Sequence, residues 1–207
     1  MKNKINYSLY LLTDREMLVD TDIYTAVEDS IKGGATLVQL REKDISTLEF
    51  YNIASKIKII TDKYKVPLII NDRIDIALSV DAAGVHLGQS DMPASIARSI
   101  IGNDKIIGIS TSTLKQARVA EKEGADYVGV GAMFPTTTKD DASAVSVHTL
   151  KEIKDNISIP VVAIGGITNK NVDFLKIADI DGVAVISDIL AKKNVKEATE
   201  KLVSAMK

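Results

Sequence analysis

Three cations and two carboxylates stand out where short β-rich runs end: Arg41, Lys43 and Lys139, with Asp72 and Asp91. Gln39, Arg41 and Lys43 follow one another at two-residue spacing in QLREK. Alternation along a strand sets such residues on one side, so an amide and two cations face one point. Guanidinium and ammonium groups give charge-assisted hydrogen bonds suited to a phosphate or diphosphate. Asp72 and Asp91 are hard oxygen donors, and two carboxylates completed by substrate phosphate oxygens are a usual setting for Mg2+. Gly165-Gly166, ahead of Asn169, offers bare backbone N–H groups at an expected helix start, where a phosphate can come close. The sequence contains no cysteine and only two histidines, His86 and His148. Thiolate nucleophiles, cysteine zinc clusters and multi-histidine metal sites are thereby excluded.

Each feature also has an ordinary explanation. Arg41 and Lys43 read equally as solvated loop charges, and Asp72 as a helix cap. Gly165-Gly166 reads as a tight turn, PTTTK at 135–139 as a polar turn, His86 as a packed strand residue and His148 as a helix-face residue. What favours chemistry is that these groups fall at matching ends of successive strands.

Those strands are expected at 8–13, 37–41, 68–71, 84–87, 106–110, 127–131, 161–165 and 183–187. Several are nearly continuous Val, Ile and Leu (LVQL, PLII, IPVVAI, GVAVI), the pattern of parallel strands covered on both faces. Amphipathic helices are expected at 22–32, 47–65, 113–123, 169–178 and 189–206, the fourth capped by Asn169. Eight strands in alternation with helices predict a (β/α)8 TIM barrel of the α/β class, with an open doubly wound sheet as the rival. In a barrel the C-terminal strand ends carry the active site. Nothing marks a linker, so residues 1–207 are expected to form a single domain.

Composition narrows the class further. Apolar residues make up 45% and charged residues 26% of 207, which excludes a disordered or fibrous chain. A net charge of -2 provides no general positive field for nucleic acid or an acidic membrane. No run of apolar residues reaches the length of a membrane span, and SLYLL near the start is too short for a signal peptide. A soluble cytoplasmic protein is the expectation, with monomer and homodimer both open.

QLREK at 39–43, ND at 71–72, GVHLGQSD at 84–91, GIS at 108–110, GADYVGVGAMFPTTTK at 124–139, AIGGI at 163–167 and AVIS at 184–187 together resemble the thiamine-phosphate synthase (thiamine phosphate pyrophosphorylase) family. The match runs in order along nearly the whole chain. The resemblance implies a transferase of thiamine biosynthesis on a TIM barrel. It would join a 4-amino-2-methylpyrimidine diphosphate to a thiazole phosphate, or its carboxylated precursor, giving thiamine phosphate and diphosphate. It further implies that Gln39, Arg41, Lys43, Asn71, Ser110 and Lys139 hold the pyrimidine diphosphate, with Arg41, Lys43, Ser110 and Lys139 catalytic. Asp72 and Asp91 would bind Mg2+, and Thr136, Thr138, Gly166, Ile186 and Ser187 would receive the thiazole phosphate. The implied path is dissociative loss of diphosphate followed by attack of the thiazole nitrogen.

Two other readings share the barrel. A thiazole tautomerase would leave the PTTTK lysine and the paired aspartates without purpose. A non-catalytic sensor of thiamine intermediates would bind without turnover. A phosphosugar isomerase or epimerase is disfavoured because no acid–base couple is evident. The segment 131–143 is the expected lid.

Overall fold

The computed structural model describes residues 5–135 and 144–207. Eight parallel strands close in sequence order into a barrel: β1 (Leu9–Leu12), β2 (Leu37–Leu40), β3 (Leu68–Asn71), β4 (Gly84–Leu87), β5 (Ile106–Thr111), β6 (Tyr127–Val130), β7 (Val161–Ile164) and β8 (Gly182–Val185). β1 pairs with β8, which completes the ring and leaves no sheet edge. The helices are α1 (Ile23–Gly33), α2 (Thr47–Tyr64), α3 (Ile74–Ser79), α4 (Ala94–Ile101), α5 (Leu114–Lys122), α6 (Val147–Asn156), α7 (Ser187–Leu190) and α8 (Val195–Met206). Among the described residues, no helix is long and apolar enough to cross a membrane.

Alternation explains why the strands read as unbroken apolar runs. Leu9, Leu11, Val38, Leu40, Leu68 and Ile70 face outward and pack against helix residues such as Val27, Ala54 and Ile57. The alternate residues Tyr10, Leu12, Leu37, Ile69, Ile106, Tyr127, Val162 and Ala184 pack together as a second core inside the barrel. Burying each large outward side chain contributes about 1.5–3 kcal/mol, which fixes the face that each strand presents.

Local signals start the helices. The Asp22 carboxylate accepts from the N–H groups of Tyr24 and Thr25, and Ser46 Oγ accepts from Glu49 N–H. Gly34, at φ 114°, ends α1 in the left-handed conformation that glycine adopts freely.

Most expected boundaries shift by a residue or two; β8 ends at Val185, so Ser187 opens α7 rather than closing the strand, and three further differences are larger or bear on the site. The helix expected at 169–178 is a 3-10 helix, Val172–Ala178, and Asn169 does not cap it. Asn171 is occupied instead, accepting from Thr168 N–H and donating to the Gly166 carbonyl. The helix expected at 189–206 is two, α7 and α8, because Asn194 caps α8 by accepting from Glu197 N–H. β2 stops at Leu40, so Arg41 and Lys43 lie in the loop beyond it.

The N-terminal end of the barrel is tied by charge. Arg98 of α4 donates to the carbonyls of Gly102, Lys105 and Gly124 and pairs with Asp126. Lys105 pairs with Asp81, and Lys154 with Asp181.

Candidate active site

A cavity of about 640 Å³ opens at the C-terminal ends of the strands. Its wall includes Gln39, Arg41, Lys43, Asn71, Asp72, Asp91, Ser110, Gly166, Ile186 and Ser187. Ten positions singled out in the sequence thus meet in one space, although they come from segments far apart in the chain. Thr136, Thr138 and Lys139 lie outside the described residues, as does most of the expected lid.

The β1–β2 side supplies the cations. Arg41 N–H donates to Thr13 Oγ1, and its guanidinium stands 3.8 Å from Asp14. Its side chain is 17% exposed, which removes the reading of a solvated loop charge. Glu42, between the two cations in sequence, points elsewhere and pairs with Arg15 at 2.9 Å. Burial pushes the Glu42 carboxyl up, against the opposing pull of Arg15. Its diversion leaves Arg41 and Lys43 to face the cavity without an acidic neighbour between them.

Asp72 and Asp91 face each other across the β3 and β4 loops. Asp72 N–H donates to the His86 carbonyl, and its φ of 60° turns the chain sharply after β3. α3 has no side-chain cap, so the capping role considered for Asp72 is not the one it fills. Asp91 Oδ2 accepts from Gly88 N–H at 2.6 Å, and Asp91 N–H donates back to the Gly88 carbonyl. Burial and the neighbouring Asp91 push the Asp72 carboxyl up to about 6, while Lys43 and Arg41 pull it down. Two carboxylates within hydrogen-bonding reach repel each other when both are ionised, and a divalent cation relieves that repulsion. Among the described residues, no cluster of three or more acidic, histidine or cysteine groups is arranged to hold a metal. The pair therefore fits an ion whose remaining ligands come from substrate or water, as Mg2+ commonly takes them.

Across the cavity, Gly165 and Gly166 have φ of 98° and 63°. A Cβ on Gly166 would lie 2.6 Å from the Pro135 carbonyl oxygen, so the glycine admits the segment that leads into residues 136–143. Met133 and Phe134 N–H groups donate to the Ile164 and Gly165 carbonyls and hold that segment against β7. Ile186 and Ser187 follow β8 beside it.

The floor contains residues that sequence reasoning missed. His86, read as a packed strand histidine, is largely buried but also lines the cavity and joins a hydrogen-bonded chain. Ser110 Oγ lies 2.9 Å from His86 Nε2, and His86 Nδ1 lies 2.9 Å from Tyr127 Oη. Tyr127 Oη lies 2.9 Å from Tyr10 Oη, to which Gln39 Nε2 donates at 2.7 Å. The usable signal was the inward phase of these strands, which puts Tyr10, Gln39, His86, Ser110 and Tyr127 on the inner face of the sheet.

A family model described as thiamine monophosphate synthase matches residues 9–189. Thiamine-phosphate synthase of Clostridium tetani is 58% identical over 203 residues, covering 98% of this chain and 97% of that one. The enzyme of the same name from Alkaliphilus oremlandii is 56% identical, with coverage of 98% and 97%. Among solved structures, thiamine phosphate pyrophosphorylase from Pyrococcus furiosus superposes with a TM-score of 0.90 at 39% identity, covering 98% of this chain and 96% of that one.

Proposed function

Because the chain belongs to the thiamine monophosphate synthase family, we propose that this cavity joins an aminopyrimidine methyl diphosphate to a thiazole phosphate. The products are thiamine phosphate and diphosphate. The observation that carries this reading is the meeting of Arg41 and Lys43 with the Asp72–Asp91 pair in one cavity.

The thiazole nitrogen already carries a nucleophilic lone pair, so no side chain has to act as base. The demanding step is cleavage of the bond between the pyrimidine methylene carbon and the diphosphate oxygen. The aminopyrimidine ring shares the positive charge left on carbon, and the thiazole lone pair then forms the new C–N bond. Arg41 and Lys43 meet charge as it grows on the departing diphosphate, where preorganised donors act most strongly. Held by Asp72 and Asp91, Mg2+ would supply Lewis-acid neutralisation of the same oxygens. Gln39, Asn71 and Ser110 orient the pyrimidine half. Backbone N–H groups near Gly166 and Ser187 receive the thiazole phosphate, together with Thr136 and Thr138, and Lys139 adds a third cation on the diphosphate.

The test is diphosphate release from the purified chain. Release is expected only with both substrates and Mg2+ present, and EDTA stops it. Release that ignores thiazole phosphate overturns the proposal. Isomerisation of a thiazole phosphate without any pyrimidine would favour the tautomerase reading instead.

A further inference from the structure

We propose that Tyr127, flanked by Tyr10 and His86, is a positioning residue that makes Gln39 and Ser110 meet the pyrimidine with opposite hydrogen-bond polarity. The inference rests on the proposed pyrimidine substrate and concerns Tyr127 and Tyr10, which lie behind the cavity wall.

The argument is a count of protons along the chain. Burial raises the Tyr10 and Tyr127 phenols well above their ordinary range, so each keeps one hydrogen. Gln39 Nε2 donates to Tyr10 Oη, which leaves the Tyr10 proton for Tyr127. The Tyr127 proton then goes to His86 Nδ1, and with Nδ1 accepting the ring N–H lies on Nε2, directed at Ser110 Oγ. Ser110 is left with its O–H free to donate into the cavity. At the other end Gln39 Oε1, on a residue 1% exposed, has no hydrogen-bond partner among the described residues. One end thus accepts and the other donates.

Reversing one link reverses all of them. A flipped Gln39 amide would offer Nε2 to the cavity and take the Tyr10 proton on Oε1. Tyr127 would then have to donate to Tyr10, His86 to carry its proton on Nδ1, and Ser110 to donate to His86. The ends exchange roles but remain opposite. An unsatisfied buried donor or acceptor is costly, so mixed arrangements are suppressed.

The barrel is shaped around this chain. A Cβ on Gly108 would fall 2.1 Å from Tyr127 Cζ, and one on Gly129 would lie 3.2 Å from His86 Cε1. Side chains at these inward positions would take the space that the tyrosine and histidine rings occupy.

An aminopyrimidine brings N–H donors on its exocyclic amine and lone pairs on its ring nitrogens, which suits an acceptor and a donor. Replacing the amine by a methoxy group puts an acceptor opposite Gln39 Oε1 while both ring nitrogens keep their lone pairs. Relief then requires the whole chain to reverse, which costs the Ser110 donor.

The experiment measures the affinity of the full chain for the aminopyrimidine diphosphate and its 4-methoxy counterpart, by competition binding without thiazole phosphate. The wild type is expected to prefer the amine by up to about a hundredfold, the upper end of what leaving one buried polar group unsatisfied costs. Tyr127→Phe keeps the ring contacts but cuts the chain, freeing the Gln39 amide to turn alone. The preference should fall roughly tenfold, about the weight of one hydrogen bond, with thiazole phosphate affinity unchanged. Tyr10→Phe should do the same. The ratio is internal to each preparation, so partial unfolding does not affect it. An unchanged ratio in either folded variant, or a wild type without preference, overturns the inference. A wild type that releases no diphosphate would count against the synthase reading itself.

Discussion

Replacing Asp72 by asparagine should make the metal-free protein more stable while removing its response to Mg2+. Asparagine keeps the shape and tolerates the left-handed φ of 60° at this position. The carboxyl stands at about 6 against an ordinary 3.8, raised by burial and by Asp91. A carboxyl raised in this way favours folding below 3.8 and loses that contribution as the pH climbs through about 6. At neutral pH the ionised pair therefore destabilises the protein when metal is withheld. The full displacement would correspond to about 3 kcal/mol. Asp72 opens onto solvent in the cavity, and screening reduces this to about 1 kcal/mol. For a chain of this size that is a rise of about 2–4 °C in melting temperature. Differential scanning calorimetry in EDTA, at neutral pH and again below about pH 4, measures it; the difference from wild type should vanish in acid. Titrating Mg2+ should lift the melting point of the wild type by ligand linkage and leave the variant unmoved. A variant that melts below the wild type in EDTA, or gains as much from Mg2+, refutes the paired-carboxylate reasoning.

Arg41→Ala and Asp91→Ala should each lower diphosphate release about 10²–10³-fold, with the circular dichroism spectrum retained; an Arg41→Ala protein with full turnover would remove that residue from the chemistry. Ser187→Ala should raise the KM for thiazole phosphate less than about threefold, since a backbone N–H survives the change, and a much larger increase in steady-state assays would assign the role to the hydroxyl.

The barrel was legible because its strands obey a simple physical rule. Runs such as LVQL and PLII are apolar on both faces because helices cover one side and the interior core the other. The lining of the candidate site was legible in the same way, since Gln39, Arg41, Asn71, Asp72, Asp91, Ser110 and Ser187 fall near or past strand ends and all line the cavity. What sequence could not supply was pairing across the barrel. Alternation says that Tyr127 points inward, but its contacts with Tyr10 and His86 depend on shear and on the space left at Gly108 and Gly129. The break before α8 was readable from Asn194 and Glu197, yet apolar spacing continues through it and masked the cap. At 169–171 neither asparagine side chain caps the 3-10 helix, because Asn171 is spent on Thr168 N–H and the Gly166 carbonyl, partners set by the fold of the β7 loop.

The two rims of the barrel are held by different means. Below, the Arg98 guanidinium gathers three carbonyls and a carboxylate, its bonding potential spent on other protein groups. Above, Asp72 and Asp91 set like charges side by side, and Gln39 Oε1 is buried with no hydrogen-bond partner among the described residues. Mutational drift can thus stiffen or loosen the lower rim with little toll on turnover, whereas relaxing the upper one would erase the tension that makes it receptive.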